Sequence, residues 1–149
     1  TKTPHCVPQK HLKNMTIEGV VHGALGNVTQ HFTGHLDIEW TKATAHITRT
    51  HIFNTGKTIK KQTTLSIQKN TVTGKIENNP KPIKGEINGN SMKLTYQTTL
   101  PNSLSIQVVD WYYLLDNNTI INKSLFYKLG YPIGEMTSTL RPIMAATPS

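Results

Sequence analysis

The sequence predicts an all-β fold that closes as a single antiparallel up-and-down β-barrel of eight to ten strands. Its 149 residues include 22 Thr, 14 Ile and 7 Val, and this excess of β-branched side chains favours strands over helices. Apolar and polar residues alternate with a period of two along most of the chain, and turn formers recur every roughly 8–12 residues. Because open strand edges are costly, closure is the usual outcome for many consecutive hairpins.

The alternation can be followed strand by strand. Residues 15–24 form the first strand-like run and residues 28–40 the second, with Phe32 and Trp40 on an apolar face and His31 on a polar face. Later runs cover residues 44–53, 58–68, 71–77, 82–88, 91–99, 104–115, 119–128 and 133–141. The turn formers between the runs are Gly26 and Asn27; Asn54, Thr55 and Gly56; Asn78, Asn79 and Pro80; Asn88, Gly89 and Asn90; Pro101 and Asn102; and Asp116, Asn117 and Asn118.

The chain is predicted to form one domain. Residues 14–141 form the barrel, and the polar, proline-containing ends, residues 1–13 and 142–149, are expected to be flexible. A domain of this size buries roughly 68–70% of its unfolded surface, so it needs no disulfide to fold. The single cysteine, Cys6, excludes an intramolecular disulfide, and we expect it to be an exposed bystander thiol. No stretch approaches the roughly 20 apolar residues of a membrane-spanning helix.

The positive charge is confined to the middle of the chain. The net charge is +8, and residues 42–93 alone contain ten basic residues against Glu77 and Glu86. Of the 16 basic residues 14 are Lys, and Phe53 is the only aromatic residue among residues 42–93, so we predict no nucleic-acid partner. Solubilising charge and peripheral contact with an anionic membrane both remain open. The predicted membrane-facing patch consists of Lys57, Lys60, Lys61, Lys69, Lys75, Lys81 and Lys84.

Motifs of common enzymes are absent. There is no nucleophile elbow, no phosphate-binding loop and no dinucleotide fingerprint. His31 and His35 share a strand face, but four residues of strand separate their Cα atoms by about 13 Å, too far to chelate one ion. His35 with Asp37, joined by His46 or His51, is a less favoured metal site than a solvent-facing polar surface. We therefore predict no catalytic residue, no metal and no cofactor.

The densest signal lies in the C-terminal third. Alternation places Trp111 and Tyr113 on one strand face and Asp110 on the other, and large aromatic residues on consecutive inward positions line or plug a barrel. Asp110, Lys128 and Glu135 have three interpretations: a charge-paired closure of one barrel end, a site for a ligand head group, or an acid and base pair.

These residues also resemble a known family. The residues that carry the likeness are Val109, Asp110, Trp111, Tyr113, Leu114, Asp116, Asn122, Lys123, Lys128, Gly130, Gly134, Glu135 and Thr137. They are similar to the signature of the bacterial domain-of-unknown-function 3833 family, DUF3833, over about 120 residues from near Asn14 to near Arg141. Tyr127 and Thr63 depart from the pattern, since a Ser precedes the matching turn Lys in the family and a Trp is usual at the position of Thr63.

The resemblance implies a lipocalin-like barrel in the envelope of Gram-negative bacteria, secreted or lipid-anchored, with a role in lipid handling. We expect a monomer in the periplasm or on the periplasmic face of the outer membrane, exported by an N-terminal signal absent from this chain. The predicted function is binding of a fatty acyl or other lipid-like small molecule inside the barrel. The predicted ligand-binding residues are Trp40, Asp110, Trp111, Tyr113, Asn122, Phe126, Lys128 and Glu135.

Two alternatives belong to other functional classes. One is an enzyme that isomerises, cyclises or hydrates a lipid in the same cavity, which a perturbed carboxylate at an enclosed cavity would favour. The other is a structural or interaction protein whose barrel is filled solid, which the absence of a cavity would indicate.

Overall fold

The computed structural model describes residues 13–100 and 103–143 as one closed β-barrel. It confirms the predicted all-β antiparallel barrel, at the upper end of the expected strand number. The ten strands are β1 (Asn14–Gly23), β2 (Val28–Thr41), β3 (Thr44–Phe53), β4 (Thr58–Gln68), β5 (Thr71–Ile76), β6 (Ile83–Asn88), β7 (Ser91–Thr99), β8 (Ser105–Leu114), β9 (Ile120–Lys128) and β10 (Tyr131–Pro142). Cys6 and most of the two predicted flexible ends lie outside the described residues.

Each strand pairs with its neighbour in sequence, and β1 pairs with β10 to close the barrel. In that last ladder Ile17 lies opposite Leu140 and Gly23 lies opposite Gly134. Every strand of the described barrel has a partner on both sides. The strands β5 and β6 are short, so residues 58–62 of β4 and 96–99 of β7 extend beyond their pairing with them toward the open end. No helix among the described residues is long and apolar enough to cross a membrane.

The two ends of the barrel differ. The connections β1–β2, β3–β4, β5–β6, β7–β8 and β9–β10 lie at one end, which we call the open end. The opposite end, the closed end, bears the other four connections and the two outer strand termini at Asn14 and Pro142. Most core residues come from the strand halves nearest the closed end: Met15, Leu36, Ile38, Ala45, Leu65, Val72, Ile87, Met92, Leu94, Leu114, Ile120 and Leu140. The apolar core is therefore concentrated toward the closed end.

A glycine allows the long strand β2 to pack closely on β3. A Cβ added to Gly34 would collide with the carbonyl oxygen of Thr50. Glycine within a strand commonly marks such a close backbone approach. A larger residue at position 34 would therefore force β2 and β3 apart.

Candidate functional site

A cavity of about 560 Å³ occupies the barrel interior, and core residues near the closed end, such as Leu36 and Leu140, form part of its lining. This volume lies within the range of roughly 300–1,000 Å³ that is typical of small-molecule sites. Lys57, Ile59, Thr98 and Leu100 line its mouth at the open end, where Ile59 is exposed. The cavity excludes the alternative of a solid barrel.

Charged and polar side chains gather on the cavity wall, near the middle of their strands. We call them the inner cluster: Arg49, His51, Lys61, Tyr96, Asp110, Tyr112 and Ser124. Arg49 and Lys61 lie directly opposite each other in the β3–β4 ladder. Apolar wall residues flank the cluster on both sides, such as Ile47 toward the closed end and Phe53 toward the open end.

Arg49 is held by three hydrogen bonds. Its Nε donates to His51 Nε2 at 2.7 Å, its Nη1 donates to the Tyr112 hydroxyl at 3.4 Å, and its Nη2 donates to Ser138 Oγ at 3.2 Å. Ser138 Oγ in turn donates to Asn122 Oδ1 at 3.4 Å. The guanidinium is therefore oriented before any ligand arrives, which reduces the conformational entropy that binding would cost.

His51 is a neutral acceptor in this arrangement. Burial, together with the positive charges of Arg49 and Lys61, lowers its pKa from 6.5 to about 3. Its ring stacks on Phe32 with a centroid separation of 4.4 Å. Because His51 is uncharged at neutral pH, it orients Arg49 without adding a charge to the cavity.

Asp110 is the only carboxyl group of the inner cluster. It is 6% exposed, and burial raises its pKa although Ser124, Arg49, Lys61 and Tyr96 all favour the ionised form. Its Oδ1 has no hydrogen-bond partner among the described residues. A buried oxygen without a partner is costly, so a ligand group that forms a hydrogen bond with it would be favoured.

Lys61 carries its ammonium group inside the barrel. Burial lowers its pKa, the charge of Arg49 adds to that effect, and Asp110 opposes it. The side chain lines the cavity and is also exposed, because the cavity is open to solvent. Lys61 and Arg49 thus present two cationic groups against the single carboxyl of Asp110, and an anion in the cavity would offset the excess of positive charge.

Four of the predicted ligand-binding residues point inward. Asp110 and Phe126 line the cavity. Asn122 is fully buried below it, where its Nδ2 donates to the carbonyl oxygen of Trp111 at 3.1 Å. Trp40 packs against the core instead of lining the cavity.

Trp111 and Tyr113 point outward, so the prediction that they line the cavity is wrong. On β8 the inward positions are Val108, Asp110 and Tyr112, and Trp111 and Tyr113 alternate with them. The two outer rings lie stacked, 6.2 Å apart, and the ammonium of Lys93 lies 5.2 Å from the Trp111 ring. A cation over the outer indole accounts for a large aromatic residue on this face.

The predicted network of Asp110, Lys128 and Glu135 does not form. The Glu135 carboxylate lies on the outer face, with Oε2 3.5 Å from His22 Nε2 and 3.7 Å from Lys123 Nζ. Lys128 is exposed at the end of β9, beside the mouth. A bulge between Pro132 and Gly134 shifts the alternation of inward and outward residues along β10. As a result Gly134 is buried and Met136 lines the cavity, and Glu135 between them faces outward.

The predicted membrane-facing lysines do not share one surface. Lys61 lines the cavity, Lys57 lies at its mouth, and Lys69 lies in the β4–β5 turn at the closed end. Strand alternation places the remaining exposed lysines on the outer wall of β4–β6 or in the β5–β6 connection: Lys60, Lys75, Lys81 and Lys84. The prediction of a single seven-lysine patch is therefore wrong, because strand alternation and hairpin geometry separate its members.

Residues 13–100 and 103–143 contain no group of three or more His, Cys, Asp or Glu side chains that could hold a metal ion. The inner cluster suits an organic anion better, since its polar atoms belong mainly to hydrogen-bond donors. Six residues of the inner cluster were not among the predicted ligand-binding residues: Arg49, His51, Lys61, Tyr96, Tyr112 and Ser124. The available signal was a charged residue in phase with apolar neighbours, as Arg49 is with Ile47 and Phe53.

Substitutions of Trp111 and Phe126 test which of the two side chains faces the cavity. Trp111→Ala should leave binding of a fluorescent polyene fatty acid within about twofold of wild type and lower the free energy of unfolding by about 1–2 kcal/mol. Phe126→Ala removes apolar cavity wall on the adjacent strand and should weaken binding about tenfold. Fluorescence titration and urea denaturation of both variants measure these effects. Equal losses of binding in the two variants would contradict the assigned orientation.

Two solved structures share this fold at low sequence identity. The S-type phycobiliprotein lyase CPES from Guillardia theta has a TM-score of 0.71 and 9% identity, with 92% of this chain and 90% of that chain covered. A protein of unknown function from the DUF3598 family of Nostoc punctiforme PCC 73102 has a TM-score of 0.64 and 13% identity. That match covers 94% of this chain and 50% of the other, so this chain spans half of its length. The likeness to the lyase confirms the predicted lipocalin-like fold.

One family model matches nearly the whole chain. It is described as a protein of unknown function, DUF3833, and it matches residues 1–142. A search of curated proteins found no significant match.

Proposed function

We propose that this chain, which belongs to the DUF3833 family of proteins of unknown function, binds one amphipathic molecule with an acyl chain and an anionic head. The observation that carries the proposal is the cavity of about 560 Å³, with apolar walls and two cationic groups against one carboxyl. A fatty acid is the simplest molecule of this chemistry.

The apolar wall suits the acyl chain. Burying one methylene contributes about 0.8 kcal/mol, so a chain of several methylenes supplies most of the affinity. The side chains available for this contact come from both sides of the inner cluster: Val21, Ile47, Phe53, Val108, Phe126 and Met136.

The inner cluster suits the head group. The Arg49 guanidinium can present two parallel N–H donors to one carboxylate, a geometry that is stronger and more specific than a single hydrogen bond. An anion beside Lys61 would favour its ammonium form and oppose the effect of burial and Arg49, which lower the pKa of Lys61. A neutral Asp110 would donate its proton to a head-group oxygen, which the raised pKa favours.

We propose that the protein acts as a monomer in the bacterial cell envelope, in the periplasm or on the periplasmic face of the outer membrane. The support for this location is the set of traits that the family resemblance implies.

A matched pair of ligands tests the proposal. A fatty acid and the fatty alcohol of the same chain length should both displace a fluorescent polyene probe, and the acid should bind about tenfold more tightly, because only the ionised acid pairs a negative charge with the cationic donors. Equal affinities would contradict the head-group assignment. Failure of both ligands to displace the probe, together with no binding of the probe itself, would overturn acyl binding as a whole.

Asp110 favours one second candidate, a lipid-modifying enzyme that uses acid–base chemistry. A carboxyl group with a raised pKa at the wall of a ligand-sized cavity is the arrangement that a general acid needs. Incubation with unsaturated fatty acids, followed by mass analysis, separates the two functions. Recovery of unchanged lipid supports a binding protein, and a product that Asp110→Asn fails to form would establish the enzyme.

A further inference from the structure

Exposed apolar side chains surround part of the cavity mouth. Six of them, which we call the mouth rim, belong to the β1–β2, β3–β4 and β9–β10 hairpins: Leu25, Val28, Ile59, Leu129, Tyr131 and Ile133. Leu25 is 97% exposed and Leu129 is 89% exposed, both at hairpin tips. Large apolar residues grouped on one surface in this way mark an interaction site.

The three hairpins are neighbours around the barrel. β10 pairs with β1, so the β9–β10 and β1–β2 hairpins lie side by side. β2 pairs with β3, and Asn54 of the next hairpin hydrogen-bonds to His31 of β2 through its backbone N–H and its Oδ1. The mouth rim is therefore one continuous arc at the open end.

Leu129 is an unexpected residue for its turn. It has φ 50 and is followed by Gly130 with φ 83, the pair of positive angles for which tight hairpins favour Asn-Gly. A leucine in this left-handed region pays a conformational cost, and its exposed side chain gains no burial in the fold. The turn geometry gives no reason for an apolar residue here, whereas an external apolar partner would.

Basic residues accompany the mouth rim. Lys57 lies at the mouth, and Lys128 immediately precedes Leu129. The acidic residues nearest this end are Glu77, in the β5–β6 connection outside the three rim hairpins, and Glu135, whose carboxylate is beside His22 and Lys123. The open end thus combines protruding apolar side chains with lysines, which is the combination that binds an anionic lipid surface.

We infer that the mouth rim docks on an anionic phospholipid bilayer, with Leu25 and Leu129 among the acyl chains and Lys57 and Lys128 at the phosphates. In this orientation the cavity mouth faces the bilayer, and an acyl ligand can pass between membrane and barrel. The docking surface goes beyond the proposed ligand binding, and its test requires no ligand in the cavity.

Vesicle flotation with the full chain tests the inference. The protein should bind vesicles of equal parts phosphatidylcholine and phosphatidylglycerol, bind pure phosphatidylcholine vesicles about tenfold more weakly, and lose affinity as salt is raised. Leu129→Asn should reduce binding about tenfold. Asparagine suits a positive φ, so this variant should unfold at or above the wild-type temperature. The double variant Lys57→Glu, Lys128→Glu should also reduce binding about tenfold.

Matched variants at the closed end control for general changes in hydropathy and charge. Leu115→Asn and Lys69→Glu should bind vesicles like wild type, since both residues lie at the opposite end. Wild-type binding by Leu129→Asn, or equal losses in Leu115→Asn, would overturn the inference. A concentration-dependent dimer that Leu129→Asn abolishes, with no binding to vesicles, would overturn it by assigning the mouth rim to a second copy of the chain.

Two variants keep this inference distinguishable from the proposed function. Arg49→Leu should retain vesicle binding and lose fatty-acid affinity, whereas Leu129→Asn should retain fatty-acid affinity in solution and lose vesicle binding. Loss of both properties in either variant would show that the mouth rim and the cavity are not separate surfaces, and would overturn the assignment of docking to the rim alone.

Discussion

Replacing Arg49 with leucine should weaken fatty-acid binding by about 10- to 100-fold, the largest effect we expect of any single substitution in the cavity. Hydrogen bonds to charged groups contribute about 1.5–3 kcal/mol, and each 1.4 kcal/mol corresponds to about tenfold in affinity. The fatty alcohol of the same chain length should lose little affinity, because its head group does not need the guanidinium charge. Isothermal titration with both ligands measures the difference.

Arg141→Leu is the matched control for the charge change. Arg141 is the other arginine of the chain, and its Nη1 lies 2.6 Å from Glu18 Oε1 on the outer face. It should bind the fatty acid like wild type. Wild-type fatty-acid affinity in Arg49→Leu, or equal losses in the two variants, would show that the inner cluster does not recognise the head group.

The free energy of unfolding should depend on pH in a way that shows that His51 is uncharged in the folded barrel. In the unfolded chain its pKa is 6.5, and in the folded barrel it is about 3. As the pH falls through this window the unfolded chain binds a proton that the folded barrel does not, so the free energy of unfolding decreases. The contribution is at most about 1.4 kcal/mol per pH unit, and water in the open cavity reduces it. Urea denaturation between neutral and acidic pH measures it.

A pair of histidine variants isolates this contribution. Asp110 works in the opposite direction: its pKa is raised in the folded barrel, so proton uptake by Asp110 favours the folded state as the pH falls. His51→Phe should lose the acid-side decrease in stability, and its ring can still stack on Phe32. His46→Phe, an exposed position on the outer face of the same strand, should keep it. Identical pH profiles for the two variants would contradict the assignment.

Strand positions could be predicted closely because they depend on local chemistry. Alternation and turn residues specify hairpins within a few neighbours, and the ten observed strands follow the predicted runs with small shifts at their ends. For example, β10 begins at Tyr131, where the expected run begins at residue 133. Closure of the barrel follows from the same pattern, since a series of hairpins leaves two edges that must pair.

The face that each strand turns inward could not be obtained in the same way. On β8 the alternation gives two sets, and the predicted ligand-binding residues included Trp111 and Tyr113 from one set and Asp110 from the other. The structure turns only the second set inward, because Ile106, Val108 and Leu114 share the phase of Asp110 and place its carboxyl inside with them. The number of apolar residues on a strand face therefore indicates the inward face better than the position of the largest side chain does.

The inner cluster depends on the pairing of strands and on approach across the barrel interior between residues that are distant in sequence. Arg49 and Lys61 meet only because β3 pairs with β4, and Asp110 reaches them across the barrel interior. Lys61 looked like one more surface lysine in a basic segment, although it lies in phase with Ile59 and Leu65. Charge counted along the chain does not separate an interior cation from a surface one.

The central claim is that the cavity holds one acyl ligand by its anionic head, and native mass spectrometry tests it most directly. Delipidated protein incubated with a long-chain fatty acid should show a one-to-one adduct, which Arg49→Leu should reduce strongly and Arg141→Leu should leave intact. An unchanged apo mass for the wild-type protein, with the fatty acid and with mixed bacterial lipids, would contradict the claim.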